Sequence, residues 1–114
     1  MSIDSEAGEA RFWELARPLL DQAGVTRSTM MGVPCLRLHG EFFATCDHRT
    51  GGLVVKLDEV QVDRLVEAGR AEPSAPNGRR FREWAAIPYA RHRTWGRHLD
   101  AALVAAAARL GSGG

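Results

Sequence analysis

Between Gly78 and Trp84 the chain reads Gly-Arg-Arg-Phe-Arg-Glu-Trp, and Arg91-His92-Arg93 and Arg97-His98 follow shortly after. Guanidinium groups interleaved with aromatic rings suit one kind of chemistry. The forks grip phosphate oxygens while a ring stacks on a base or wedges beside it. Arg79, Arg80, Arg82, Arg91, Arg93 and Arg97 are therefore the candidate nucleic-acid-binding residues, with DNA as the expected partner. A competing account needs no ligand. Phe81 and Trp84 would serve the core of a small domain, while Arg79, Arg80 and Arg82 form a solvated strand edge that discourages pairing with another chain.

Other chemistries find little support. A metal site needs converging imidazole or thiolate ligands, but His39, His48, His92 and His98 are scattered. His92 and His98 would point about 240° apart on a helix. No metal and no cofactor are expected. Cys35 and His39, if carried on one strand, stand about 13 Å apart, too far for a nucleophile and its base. Gly51-Gly52 opens a strand rather than a helix, so it is a turn and not a phosphate cradle. Glu41, Asp47, Glu72 and Glu83 show no spacing that asks for an acid–base pair. An enzyme acting on a small anionic ligand would rest on Lys56 alone, and strand alternation explains that residue by pointing it outward while Val55 and Leu57 point in. No catalytic residue is assigned, and a non-enzyme is expected.

The elements that must position these side chains can be read from periodicity. Phe12, Ala16, Leu19, Leu20 and Ala23 recur at helical steps, predicting an amphipathic helix from about Ser5 to Ala23. Ser5 is its cap, Gly24 its stop, and Pro18 should kink or briefly break it near Leu15 to Arg17. Val25–Met31, Cys35–Leu38, Phe42–Cys46 and Leu53–Leu57 are extended, with turns at His39-Gly40 and Gly51-Gly52 making antiparallel neighbours. Gly32 to Pro34 marks a bulge, a bend or an edge, so the first two segments are either two strands or one interrupted strand. Asp58 caps a second helix, Glu59 to Ala68, with Val60, Leu65 and Val66 inward and Gly69 as its stop. Residues 71–78 read as a loop and 79–87 as extended. A last helix from about Arg91 to Leu110 places Trp95, Leu99, Ala102, Leu103, Ala106 and Leu110 on one face.

Helix, a meander of about three strands, helix, about two strands and helix make an α+β fold, a two-layer sandwich on an antiparallel sheet. The 114 residues suit one domain, ordered from about 5 to 110 with 111–114 a flexible tail. Residues 1–69 carry seven basic and eleven acidic side chains, a balance of −4. Residues 70–114 carry eight arginines against three acids, a balance of +5. The basic half is where a polyanion would be met. The acidic start is unlike a secretory signal and no apolar run spans a bilayer, so a cytoplasmic chain without membrane contact is expected. Cys35 and Cys46 then read as reduced, mostly buried thiols.

Several of these pieces together resemble the TfoX N-terminal (TfoX/Sxy) and MmcQ/YjbR-like families of small bacterial proteins. The resemblance is carried by Gly24-Val25-Thr26-Arg27, Met30-x-Gly32-x-Pro34-Cys35-Leu36, Gly40-x-Phe42-Phe43-Ala44 and Leu53-Val54-Val55-Lys56-Leu57. Gly78-Arg79, Arg82-Glu83-Trp84 and Ile87-Pro88 follow in the same order. Many members have Phe where this chain has Met31. The resemblance implies a single domain of type α-β(3)-α-β(2)-α and brings no catalytic residue. It also implies a regulatory role near competence genes for the TfoX branch, or DNA binding through wing-like strands for the YjbR-like one. Two readings follow: a nucleic-acid-binding or transcription-associated module, or a protein-interaction module acting as a homodimer. Three tryptophans beside Phe42 and Phe43 motivate the second.

Overall fold

The computed structural model describes residues 3–30, 32–74 and 81–112. Among these residues three α-helices and six strands follow in the order α1 (Ile3–Leu19), β1 (Val25–Met30), β2 (Val33–Leu38), β3 (Glu41–Cys46), β4 (Leu53–Lys56), α2 (Glu59–Glu67), β5 (Glu72–Ser74), β6 (Phe81–Ile87) and α3 (Trp95–Ser112). A 3₁₀ segment, Tyr89–Thr94, leads into α3. The strands form one antiparallel sheet in the order β1-β2-β3-β4-β6-β5. This is the expected α+β arrangement. None of these helices is long and apolar enough to cross a membrane.

The first meander has four strands, one more than the three expected from the sequence. Gly32, at φ +78°, reverses the chain, so Val25–Met30 and Val33–Leu38 pair along their full length. Pro34 faces Thr29 on β1 and lies beyond the end of the β2–β3 ladder, which starts at Cys35↔Thr45. A missing N–H costs nothing there. The bulge falls elsewhere, on β3. Leu36 faces Ala44 and Arg37 faces Phe42, leaving Phe43 as the extra residue. Residues 71–78 were expected to be loop, yet Glu72–Ser74 pairs with β6 as a short edge strand where Pro73 is tolerated.

Helix boundaries moved in ways that packing explains. α1 begins at Ile3, so Ser5 is inside its first turn, and its hydroxyl donates to the carbonyl of His48. Pro18 sits in the last turn, where it ends the helix at Leu19 instead of kinking it upstream, and Ala23 is exposed. α2 opens on a complete capping box. Asp58 Oδ1 accepts the Gln61 N–H at 2.8 Å and Gln61 Oε1 accepts the Asp58 N–H at 3.2 Å. Its buried residue is Val62, with Leu65 and Val66 beside it at helical spacing, so Val60 turns outward. The expected start of the last helix is instead the 3₁₀ segment, interrupted within by Arg91 at φ −108°, ψ 24°, and the α-helix begins only at Trp95. α3 extends through Ser112, with Leu110 38% exposed, while Gly113 and Gly114 lie outside the described residues.

One apolar cluster joins all three helices to one face of the sheet. Phe12, Ala16 and Leu19 of α1, Val62 of α2, and Trp95, Leu99, Ala102 and Ala106 of α3 meet Leu36, Phe43, Leu53, Val55 and Ile87. Buried Cys35, Phe42 and Val54 stay outside that cluster. They belong to the opposite sheet face, which carries no helical layer among the described residues.

Candidate nucleic-acid interface

Cross-strand partners in an antiparallel sheet project from the same face. On the side away from the helices the register therefore lines up four residues across neighbouring strands. Arg37 of β2 faces Phe42 of β3, and Lys56 of β4 faces Trp84 of β6. The Phe42 and Trp84 rings meet over β4 with centroids 5.2 Å apart. Phe81 stacks on Trp84 at 4.6 Å and 20°. A three-residue spacing on a regular strand would send these two rings to opposite faces. The pairing with β5 jumps from Pro73↔Ala85 to Ser74↔Phe81, so residues 82–84 bulge and allow the stack.

Phe42 is 7% exposed and serves as the footing, while Trp84 and Phe81 are partly open to solvent. Neither of the latter joins the main core, which separates them from both earlier accounts: they are ordered by packing, yet on the uncovered side. The cations are anchored at its rim. Arg37 donates to the Gly40 carbonyl at 3.1 Å. Lys56 Nζ lies 3.4 Å from Glu41, which also accepts from Arg109 Nε at 2.7 Å. The Arg109 hydrogen bond is the main reason the Glu41 carboxyl titrates below its ordinary value, ahead of the pull of Lys56.

At its far end the same face deepens into a cleft of about 480 Å³. Val54 and Ala86 contribute to its floor, Arg49 and Thr50 stand on one wall, and Glu72, Ser74 and Tyr89 on others. Arg49 is 66% exposed, with its Nε 3.6 Å from Asp47.

The arginines singled out from the sequence occupy several places. Arg82 is exposed and bonds Glu59, the first residue of α2, at 2.9 Å. Arg97 is exposed in the first turn of α3, beside His98. Burial, then the charges of Arg97 and Arg70, hold the His98 imidazole below its ordinary pKa. Arg70 follows the far end of α2, so the nine residues of that helix, about 13 Å of rise, separate the surroundings of Arg82 and Arg97. Arg91 and Arg93 are exposed on the 3₁₀ segment. Arg79 and Arg80 lie outside the described residues. Arg37 and Phe42 were not singled out for nucleic-acid binding, because β3 is apolar at nearly every position and shows no alternation. The available signal was a cation at an outward position of two neighbouring apolar strands.

Cys35 and Cys46 are unbridged and buried. Cys35 is paired with Thr45, one residue before Cys46, so the two thiols project from opposite faces. Burial, helped by Glu9 and Asp47, pushes the Cys46 thiol up to about 12, and burial also raises Cys35. Among the described residues no group of three or more His, Cys, Asp or Glu is placed to hold a metal ion. No family model, no curated protein and no solved structure matches the chain.

Proposed function

We propose that the protein is a nucleic-acid-binding module whose contact surface is the uncovered face of its sheet, reading unpaired bases by stacking. The row Arg37, Phe42, Lys56, Trp84 carries this reading, with Phe81 extending it. A base has a π-face whatever its identity, so a partly open tryptophan on a rigid footing is a sequence-tolerant platform. Arg37 and Arg82 beside it, and Arg49 along the adjoining cleft, supply guanidinium groups for a backbone crossing the face. The excess of arginine after residue 69 and the resemblance to TfoX-like and YjbR-like sequences favour the same class. The role is binding, with no reaction assigned.

Fluorescence anisotropy with labelled single-stranded and duplex oligonucleotides tests it. Single strands should bind at low salt more tightly than duplex, with three phosphate contacts giving a log–log salt slope of about −2. Trp84→Ala should weaken binding about tenfold or more, the worth of one stacked base. Absence of binding at low salt, or indifference to Trp84→Ala, would remove the proposal. The alternative, a homodimer burying the same aromatic face, is favoured by the partial exposure of Phe81 and Trp84. Light scattering distinguishes it, since a dimer that Trp84→Ala dissociates would assign the face to a second copy.

A further inference from the structure

We propose that the groove between α3 and the start of α2 docks a basic amphipathic helix of a partner protein, independently of the nucleic-acid face. α3 carries two apolar stripes. Trp95, Leu99, Ala102 and Ala106 are buried in the core. Ala101, Val104, Ala105 and Ala108 recur at i, i+3, i+4 and i+7 and form one wall of a groove of about 560 Å³. Val104 is 69% exposed, the most open large apolar side chain among the described residues. The three alanines around it keep that wall low, so a second helix can approach closely.

The rim selects the occupant by charge. Asp58, Glu83 and Asp100 line the groove. Arg109, the one basic residue lining it, is held by its Nε on Glu41, so the lining sets three carboxylates against a single tethered guanidinium. An apolar wall below three carboxylates repels a polyanion and offers an acidic helix no partner. A helix with Leu or Ile at i, i+3, i+4 and i+7, flanked by Lys or Arg, satisfies both wall and rim. The chain's own basic segment, Tyr89–Thr94, is a 3₁₀ turn without that apolar spacing, which disfavours a second copy as the occupant.

The test uses the full chain and three fluorescein-labelled peptides of about 14 residues: a Leu/Lys amphipathic helix, its Leu/Glu counterpart and a scrambled Leu/Lys sequence. The Leu/Lys helix should bind at least about tenfold more tightly than either control. Val104→Ser, and separately the pair Glu83→Lys and Asp100→Lys, should each weaken it about tenfold, with circular dichroism showing the fold retained. Trp84→Ala should leave it unchanged. Equal binding of the Leu/Lys and Leu/Glu peptides, or full affinity in the charge-reversed variant, overturns the proposal. So does a dimer in light scattering that Val104→Ser abolishes, which would give the groove to a second copy.

Discussion

Gly8 sits in α1 where a Cβ would collide with the carbonyl oxygen of Gly51, whereas a Cβ on Gly96 in α3 would meet only the Leu15 Cδ2 methyl at 3.9 Å. Alanine should therefore act with opposite sign at these two helical glycines. Gly8→Ala should cost about 1–3 kcal/mol by forcing backbone apart. Gly96→Ala should gain about 0.5–1 kcal/mol through helix propensity alone. Urea denaturation of both variants measures the pair, and a shared sign would contradict the packing of α1 on the β3–β4 connection. Gly24 is a different case, held at φ +83° with the His39 ring against it, so a side chain there meets strain and collision together. The two cysteines lead to a chemical prediction. With both thiols buried and their pKa values raised, neither should react with an aromatic disulfide reagent at neutral pH until the chain unfolds. Fast labelling of either thiol in the native state would place it on an open surface.

Asp58 begins α2 with both hydrogen bonds of its capping box in place, and Asp58→Ala should cost about 0.5–2 kcal/mol by thermal unfolding. The cap was legible in the sequence because Asp58 directly precedes a helical pattern. The inward face of the same helix was only partly legible. Val60, Val62, Leu65 and Val66 offer two apolar stripes, and contact with β6 and β5 selects the one containing Val62. Pro18 was read as a kink because its missing N–H breaks the ladder wherever it falls inside a helix. Only the turn at residues 20–24 shows that the helix was ending there. The β3 bulge was hidden for a related reason: Phe42, Phe43, Ala44 and Cys46 are all apolar, so a one-residue slip leaves no mark in the pattern.

At the scale of the molecule, two groups set the response to acid. His98 has a folded pKa below its ordinary 6.5, so the unfolded chain binds its proton more readily. Its destabilising effect should build as pH falls below 6.5 and level off beneath the folded value. Glu41 has a folded pKa below 4.5; its stabilising contribution is present above that pH and is lost as pH falls through the folded value. Urea midpoints should decline in two stages, and His98→Gln should flatten the first while leaving the second. A midpoint that rises on acidification below pH 6.5 would reverse the assignment. The location of the uncovered face was not legible. It depends on all three helices choosing one side of the sheet, a decision made by long-range packing and not by the alternation of any single strand. Arg82 and Trp84 were legible as chemistry; that the Trp84 ring packs against Phe42, forty-two positions earlier, was not. The Ser5 hydroxyl on the His48 carbonyl and the Gly8–Gly51 contact give that face an unexpected dependency. Asp47, Arg49 and Thr50, which line the cleft on the bare side, belong to a connection held by a helix of the other layer through the His48 carbonyl. Loosening α1 at its first turns should therefore free that wall to move, and faster amide exchange at Arg49 and Gly51 in Ser5→Ala would register the linkage from across the sheet.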